Sequence, residues 1–222
     1  MKLSNYMRYV CLLLAAGLSV ALNAQNSNSN VGIVINGVTW AHNNVGAPGT
    51  FVENWWEPGM YYQWNSKVGW SYESDENGCP YYSIPDGVAW NDEWGGGNTS
   101  EWETINDPCP VGWRIPTESE FKSLIEAYEV CWTDNQWHKR AGAGIYVCIS
   151  FAKSLFFPAG GQGGGNINPD PSYRYCQGSI GKYWTKDRGR YVNPFTFSFH
   201  EDYHGVSYEW PSQCLNVRCV KK

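Results

Sequence analysis

Apolar and polar residues alternate at both ends of the chain and take helical spacing once in between. Val31, Ile33, Ile35, Val38 and Trp40 have strand spacing around Asn36-Gly37, a pair that predicts a tight hairpin turn. Phe195, Phe197 and Phe199 alternate with Thr196, Ser198 and His200, which is period two and predicts a half-buried strand. Gly205 marks the return, and Val206, Tyr208 and Trp210 alternate again. Residues 215–220 predict a last strand. In the middle, Phe121, Leu124, Ile125 and Tyr128 fall at i, i+3, i+4 and i+7, a single apolar stripe. Thr117 precedes them, with Glu120 three residues on, the pair that makes a capping box. Pro116 keeps the chain extended before the cap, so the spacing predicts a helix over about 117–130. Residues 145–151 predict a further strand or a short buried segment. Residues 46–108, dominated by Gly, Pro, Asn and Trp, read as a long structured loop region or several very short strands. The pattern as a whole is a single α+β domain, helix-poor and loop-rich, over 31–222.

Composition removes several classes of function. Of 222 residues, 16% are aromatic and 17% charged, against about 25% charged in an average domain. Disordered chains lack aromatics and carry high net charge, so disorder is excluded. No heptads run, and the 24 glycines have no period of three, which excludes coiled coil and collagen. A net charge of −5 argues against a nucleic-acid partner, which would require a basic face. Residues 1–24 read as a signal peptide: Lys2 and Arg8, an apolar run from Val10 to Leu22, then small Ala24. That run is shorter than the ~20 residues that span a bilayer, and no other segment predicts a span. Residues 25–30 form a polar leader. The expectation is therefore an exported protein, extracellular, at the cell surface or periplasmic. Cleavage would remove two of the 16 cations and no acid, leaving 14 against 21, a net −7. It would also remove Cys11, leaving seven cysteines in a compartment where disulfides form. Seven is odd, so one thiol at least is free or pairs between chains.

Several blocks then resemble a known family. Cys109-Pro110-Val111-Gly112-Trp113, with Pro116-Thr117 and Glu120-Phe121, resembles the CPxGWxxPTxxEW signature of the Fibrobacter succinogenes major paralogous domain family. Tyr183-Trp184-Thr185 is similar to its YWS element, Val217-Arg218-Cys219-Val220 to its terminal VRCV, and Asn36 to Asn44 to its usual opening. Phe121 stands where the family usually has Trp, and Asn44 where it has Leu. The resemblance implies a C-type-lectin-like fold, related to the formylglycine-generating enzymes and to the variable proteins of diversity-generating retroelements. It implies that the first and last strands pair and that Cys109 is bridged to Cys219. For the remaining cysteines, order along the chain suggests Cys131–Cys148 and Cys176–Cys214, with Cys79 left over.

Four patterns invite chemistry. His200-Glu201-Asp202-Tyr203-His204 matches HExxH, but that motif needs a helix to bring both histidines onto one metal. On a strand, i and i+4 lie about 13 Å apart, so a zinc enzyme using His200 and His204 is the weaker alternative. Trp90-Asn91-Asp92 and Glu57-Pro58-Gly59 are similar to calcium-lectin triplets, yet supply two or three of the six to eight oxygens calcium takes. Residues 160–165 are glycine-rich without the Lys-Ser/Thr of a phosphate loop, and read as a flexible surface loop. The strongest signal is a C-terminal patch rich in Tyr, Arg and His, residue types that stack and hydrogen-bond at recognition surfaces. Its ligand-binding candidates are Trp184, Asp187, Arg188, Arg190, Tyr191, His200, Asp202, Tyr203, His204 and Tyr208. The retroelement relationship implies that all of these but Trp184 could vary, while Trp210 would be fixed scaffold. The expected function is a secreted, non-catalytic recognition domain that binds a protein or glycan through this face, without a cofactor. The alternative from a different class is a structural or adhesin subunit of a bacterial surface assembly.

Overall fold

The computed structural model describes residues 32–74, 80–83, 94–97, 99–135, 142–150, 153–163, 174–175, 178–189 and 193–222. Among these, strands dominate and one α-helix forms. The strands are β1 (Ile33–Ile35), β2 (Val38–Asn44), β3 (Tyr61–Tyr62), β4 (Gly69–Ser74), β5 (Pro80–Ser83) and β6 (Trp113–Arg114). After helix α1 (Glu118–Ala127) come β7 (Glu129–Thr133), β8 (Gly144–Ser150), β9 (Lys153–Pro158), β10 (Gln162–Gly163) and β11 (Arg174–Tyr175). The chain ends in β12 (Ile180–Arg188), β13 (Pro194–His200), β14 (Tyr203–Tyr208), β15 (Leu215–Asn216) and β16 (Arg218–Lys221).

The Asn36-Gly37 turn forms as the dipeptide predicts, with both residues at positive φ, 49° and 78°. It joins β1 to β2, and β2 continues into a four-stranded sheet of order β1-β2-β16-β6. The last strand therefore pairs with the second, β2, and not with β1 as the expected pairing of first and last strands would have it: Asn44 pairs with Arg218 and Trp40 with Val220. Cys109 is bonded to Cys219, their Cα atoms 6.1 Å apart. A seven-stranded sheet has the order β14-β13-β12-β15-β3-β4-β5. The last stretch of chain serves both sheets. Leu215–Asn216 pairs with β3 and β12, while Arg218–Lys221 pairs with β2 and β6. The predicted last strand is therefore two, divided at fully buried Val217, whose carbonyl accepts from Val45 N.

Helix α1 begins where predicted. Thr117 Oγ1 accepts from Glu120 N, and the Glu120 carboxylate accepts from Thr117 N at 2.7 Å. It ends at Ala127, three residues short of the expected 130. Tyr128 is already extended, and residues 129–133 form β7 in a three-stranded sheet with β8 and β9. Val130 and Trp132 pack on the core from that strand, which the helical stripe through Tyr128 could not reveal. Phe121 and Leu124 face inward, and Phe121 lies 5.0 Å from Trp40 and 4.9 Å from Phe197 between ring centroids. Where it is described, the 46–108 stretch combines both readings: the short strands β3, β4 and β5 are set among irregular segments such as 46–60 and 99–103.

The glycine-rich segment corrects an expectation. Residues 160–163 are not a surface loop: Gly160, Gly161 and Gly163 are buried. Gly161 bridges to Gly181, and Gly163 to Cys214. Gly161 has φ +76°, and a Cβ on Gly160 would fall on the Asn216 side chain. Glycine stands at 160 and 161 for close approach and for a left-handed backbone. Residues 164 and 165 lie outside the described residues.

Candidate functional site

Of the ten candidate residues, three are used to build the fold. Trp184 on β12 is fully buried, and its Nε1 donates to Tyr62 O at 2.6 Å. Asp187 Oδ2 accepts from Glu118 N at 2.5 Å, which places a carboxylate at the N-terminus of α1, where exposed N–H groups favour negative charge. The Arg188 guanidinium lies 4.6 Å over the Trp64 ring and donates to the carbonyls of Gly95, Gly97 and Thr99. Burial lowers its pKa from the ordinary arginine value. These contacts clamp Gly95, Gly97 and Thr99 onto β12, with Lys186 ion-paired to Glu101 beside them. Changing Arg188 would loosen that clamp, and changing Asp187 would remove the carboxylate at the N-terminus of α1. Arg190 and Tyr191 lie outside the described residues, as do Trp90, Asn91 and Asp92.

The other five stand on the β13–β14 hairpin, joined by Glu201 and Asp202. His200 pairs with Tyr203 and Phe199 with His204. Adjacent pairs project to opposite faces of a sheet. His200 and Tyr203 therefore share one face, their rings stacked at 5.6 Å. His204 lies on the other face with Val206 and Tyr208, beside α1. The two histidines of the HExxH match point apart, and the motif is a hairpin tip. Asp202 N donates to His200 Nδ1 at 3.3 Å, and partial burial lowers the pKa of His204. Tyr203, Tyr208 and Trp210 are 43%, 67% and 57% exposed. Trp210, two residues beyond the end of β14, is exposed beside Tyr208. The predicted single face is thus an edge, with aromatic groups on both sides of β14.

The ground beneath this edge is fixed. The hydroxyls of Thr196, Ser198 and Ser207 close a ring at 2.8–3.1 Å, so each finds a partner without water. Lys182 is ion-paired with Glu209 alongside. Phe197 and Phe199 are buried below, against Phe121, Phe157 and Tyr183.

A second polar centre lies inside the molecule, and the motif residues alone gave no sign of it. Fully buried Arg218 donates to Asn44 Oδ1 at 2.7 Å and to the carbonyls of Ala41, His42 and Phe156. Asn44 Nδ2 in turn reaches Pro58 O and the Tyr183 hydroxyl. Pro58 O also accepts from Asn216, so the Glu57-Pro58-Gly59 triplet is tied down by buried amides. Among the described residues no cluster of three or more His, Cys, Asp or Glu is arranged to hold a metal, and no helix is long and apolar enough to cross a membrane. Comparison with family models, curated proteins and solved structures found no match.

Proposed function

We propose that this chain is an exported, non-catalytic recognition domain that binds an extracellular protein through the β13–β14 hairpin. The exposure of Tyr203, Tyr208 and Trp210 on one hairpin carries this reading. Aromatic side chains grouped in water along one strand edge are a mark of surfaces that partners cover. A polypeptide fits best. β14 ends the seven-stranded order among the described residues, so its outer backbone edge adjoins aromatic side chains on both faces. An extended segment can pair with such an edge and seat its own side chains against the tyrosines.

We also assign the chain to the Fibrobacter succinogenes major paralogous type, with a C-type-lectin-like fold. The pairing of the last strand with β2, the bond between the cysteines of the CPxGW and VRCV blocks, and the capped helix after CPxGW support that assignment. The N-terminal leader and the disulfide support export.

The test is capture of surface proteins by the mature domain, beside a glycan array. Tyr208→Ala and Trp210→Ala should abolish capture while near-ultraviolet circular dichroism stays unchanged. Capture that survives both substitutions, alone and combined, sinks the reading. Array binding lost in the same variants would reassign the hairpin to a sugar.

A further inference from the structure

Two cysteines outside this hairpin are already in contact. In the β7–β8 ladder, Cys131 faces Tyr146 and Glu129 faces Cys148. Cys131 and Cys148 are therefore diagonal neighbours on one face of the sheet. Ile145, Val147, Leu155 and Phe157 occupy the opposite face and enter the core. The Cys148 thiol donates to Cys131 Sγ across 4.0 Å, and both residues are half-buried. Other described sulfurs differ. Cys214 is fully buried, and burial pushes its thiol well up from the ordinary value. Cys109 and Cys219 are bonded to each other.

We propose that Cys131 and Cys148 are a thiol–disulfide exchange pair, closed into a cross-strand disulfide by a disulfide-bearing oxidant. Cys148 attacks first: once ionised, its thiolate accepts a hydrogen bond from the adjacent Cys131 thiol, which lowers its pKa, and the thiolate is the nucleophile. The Cys148 thiolate attacks one sulfur of the oxidant R–S–S–R, forming a mixed disulfide and expelling one thiolate. Cys131, losing its proton to solvent, then attacks Cys148 Sγ and expels the second. Two protein thiols are oxidised to one disulfide, and the oxidant is reduced to two thiols.

Closure needs the sulfurs to move from 4.0 Å to about 2 Å. The ladder has room to give there, because the β8–β9 register slips between Cys148 and Ser150. Diagonal neighbours have Cα atoms about 7–8 Å apart, beyond the roughly 4.4–6.8 Å usual for a disulfide. The bridge must draw the strands together. It is therefore more easily reduced than Cys109–Cys219, whose Cys219 is fully buried.

The experiment treats the mature protein with oxidised glutathione, blocks free thiols with iodoacetamide and maps peptides without reduction. Cys131 should be recovered linked to Cys148. Low dithiothreitol should then reopen this bond while Cys109–Cys219 persists. Recovery of both residues alkylated after oxidation, or of either bonded to Cys79 or Cys176, overturns the proposal. Two variants test the order of attack. C131S should accumulate glutathione on Cys148, and C148S several-fold less on Cys131; equal labelling overturns the assigned order. Mapping of the unsubstituted protein does not depend on how either variant folds.

Discussion

Arg218 brings a cation into the interior, and none of its hydrogen-bond acceptors is a carboxylate. One amide oxygen and three backbone carbonyls surround it, and its planar group lies 4.8 Å over the Phe157 ring. Burial lowers its pKa to about 10, so it stays charged at neutral pH. Arg218→Met should cost about 3 kcal/mol or more, because each orphaned buried acceptor costs roughly 1–3 kcal/mol. Arg218→Lys should rescue only part, since a point charge cannot reproduce the fork. Denaturant midpoints of the two variants check both. His42 is the neighbouring sensor. Burial, with the Arg218 and Lys153 charges, lowers its pKa from 6.5 to about 4. Between these values the unfolded chain holds a proton that the folded chain does not, so folding stability rises with pH across the window. Acidification from pH 7 to 4 should cost up to about 3 kcal/mol through this group. His42→Asn should flatten that part of the pH profile; an unchanged slope counts against the assignment.

The helix shows what local sequence can specify. Its start is fixed by neighbours three residues apart, and both hydrogen bonds of the capping box form. Thr117→Ala should lower stability by about 1 kcal/mol in chemical denaturation. Leu124→Ala should cost more, about 2–5 kcal/mol, because Leu124 is buried in the main core. Equal midpoints for the two variants would mean that the stripe is misread. Its end was not legible. Tyr128 continues the apolar spacing, yet the next residues gain a full antiparallel ladder with β8 by leaving the helix. Ladder pairing with a strand fifteen residues on outweighs local propensity there. The strands from Phe195 to Tyr208 were legible because apolar and polar residue types alternate, although β13 is not half-buried as expected: Thr196 and Ser198 are buried on one face and Phe197 and Phe199 on the other. β9 is buried on both faces from Ser154 to Pro158 and carries no such alternation.

Closure is a property of the whole molecule. The disulfide joins residues 110 apart in sequence. Replacing Cys109 and Cys219 together by Ser should cost about 5 kcal/mol in the chain-entropy model, read as a lowered denaturation midpoint without reductant. No loss would mean that the β2–β16 ladder alone holds the ends. The candidate site also takes its form only at this scale. Sequence supplied residue types suited to recognition across 184–208. It could not separate Arg188, spent on Trp64 and three carbonyls, from Tyr208, left in water. By itself the sequence determined whatever depends on near neighbours: the Asn36-Gly37 turn, the helix cap and the two-residue alternation of β13 and β14. The tertiary structure decided which candidates face solvent and that Arg218 meets Asn44. Those outcomes depend on contacts between residues up to 174 positions apart, and such contacts leave no period in the chain.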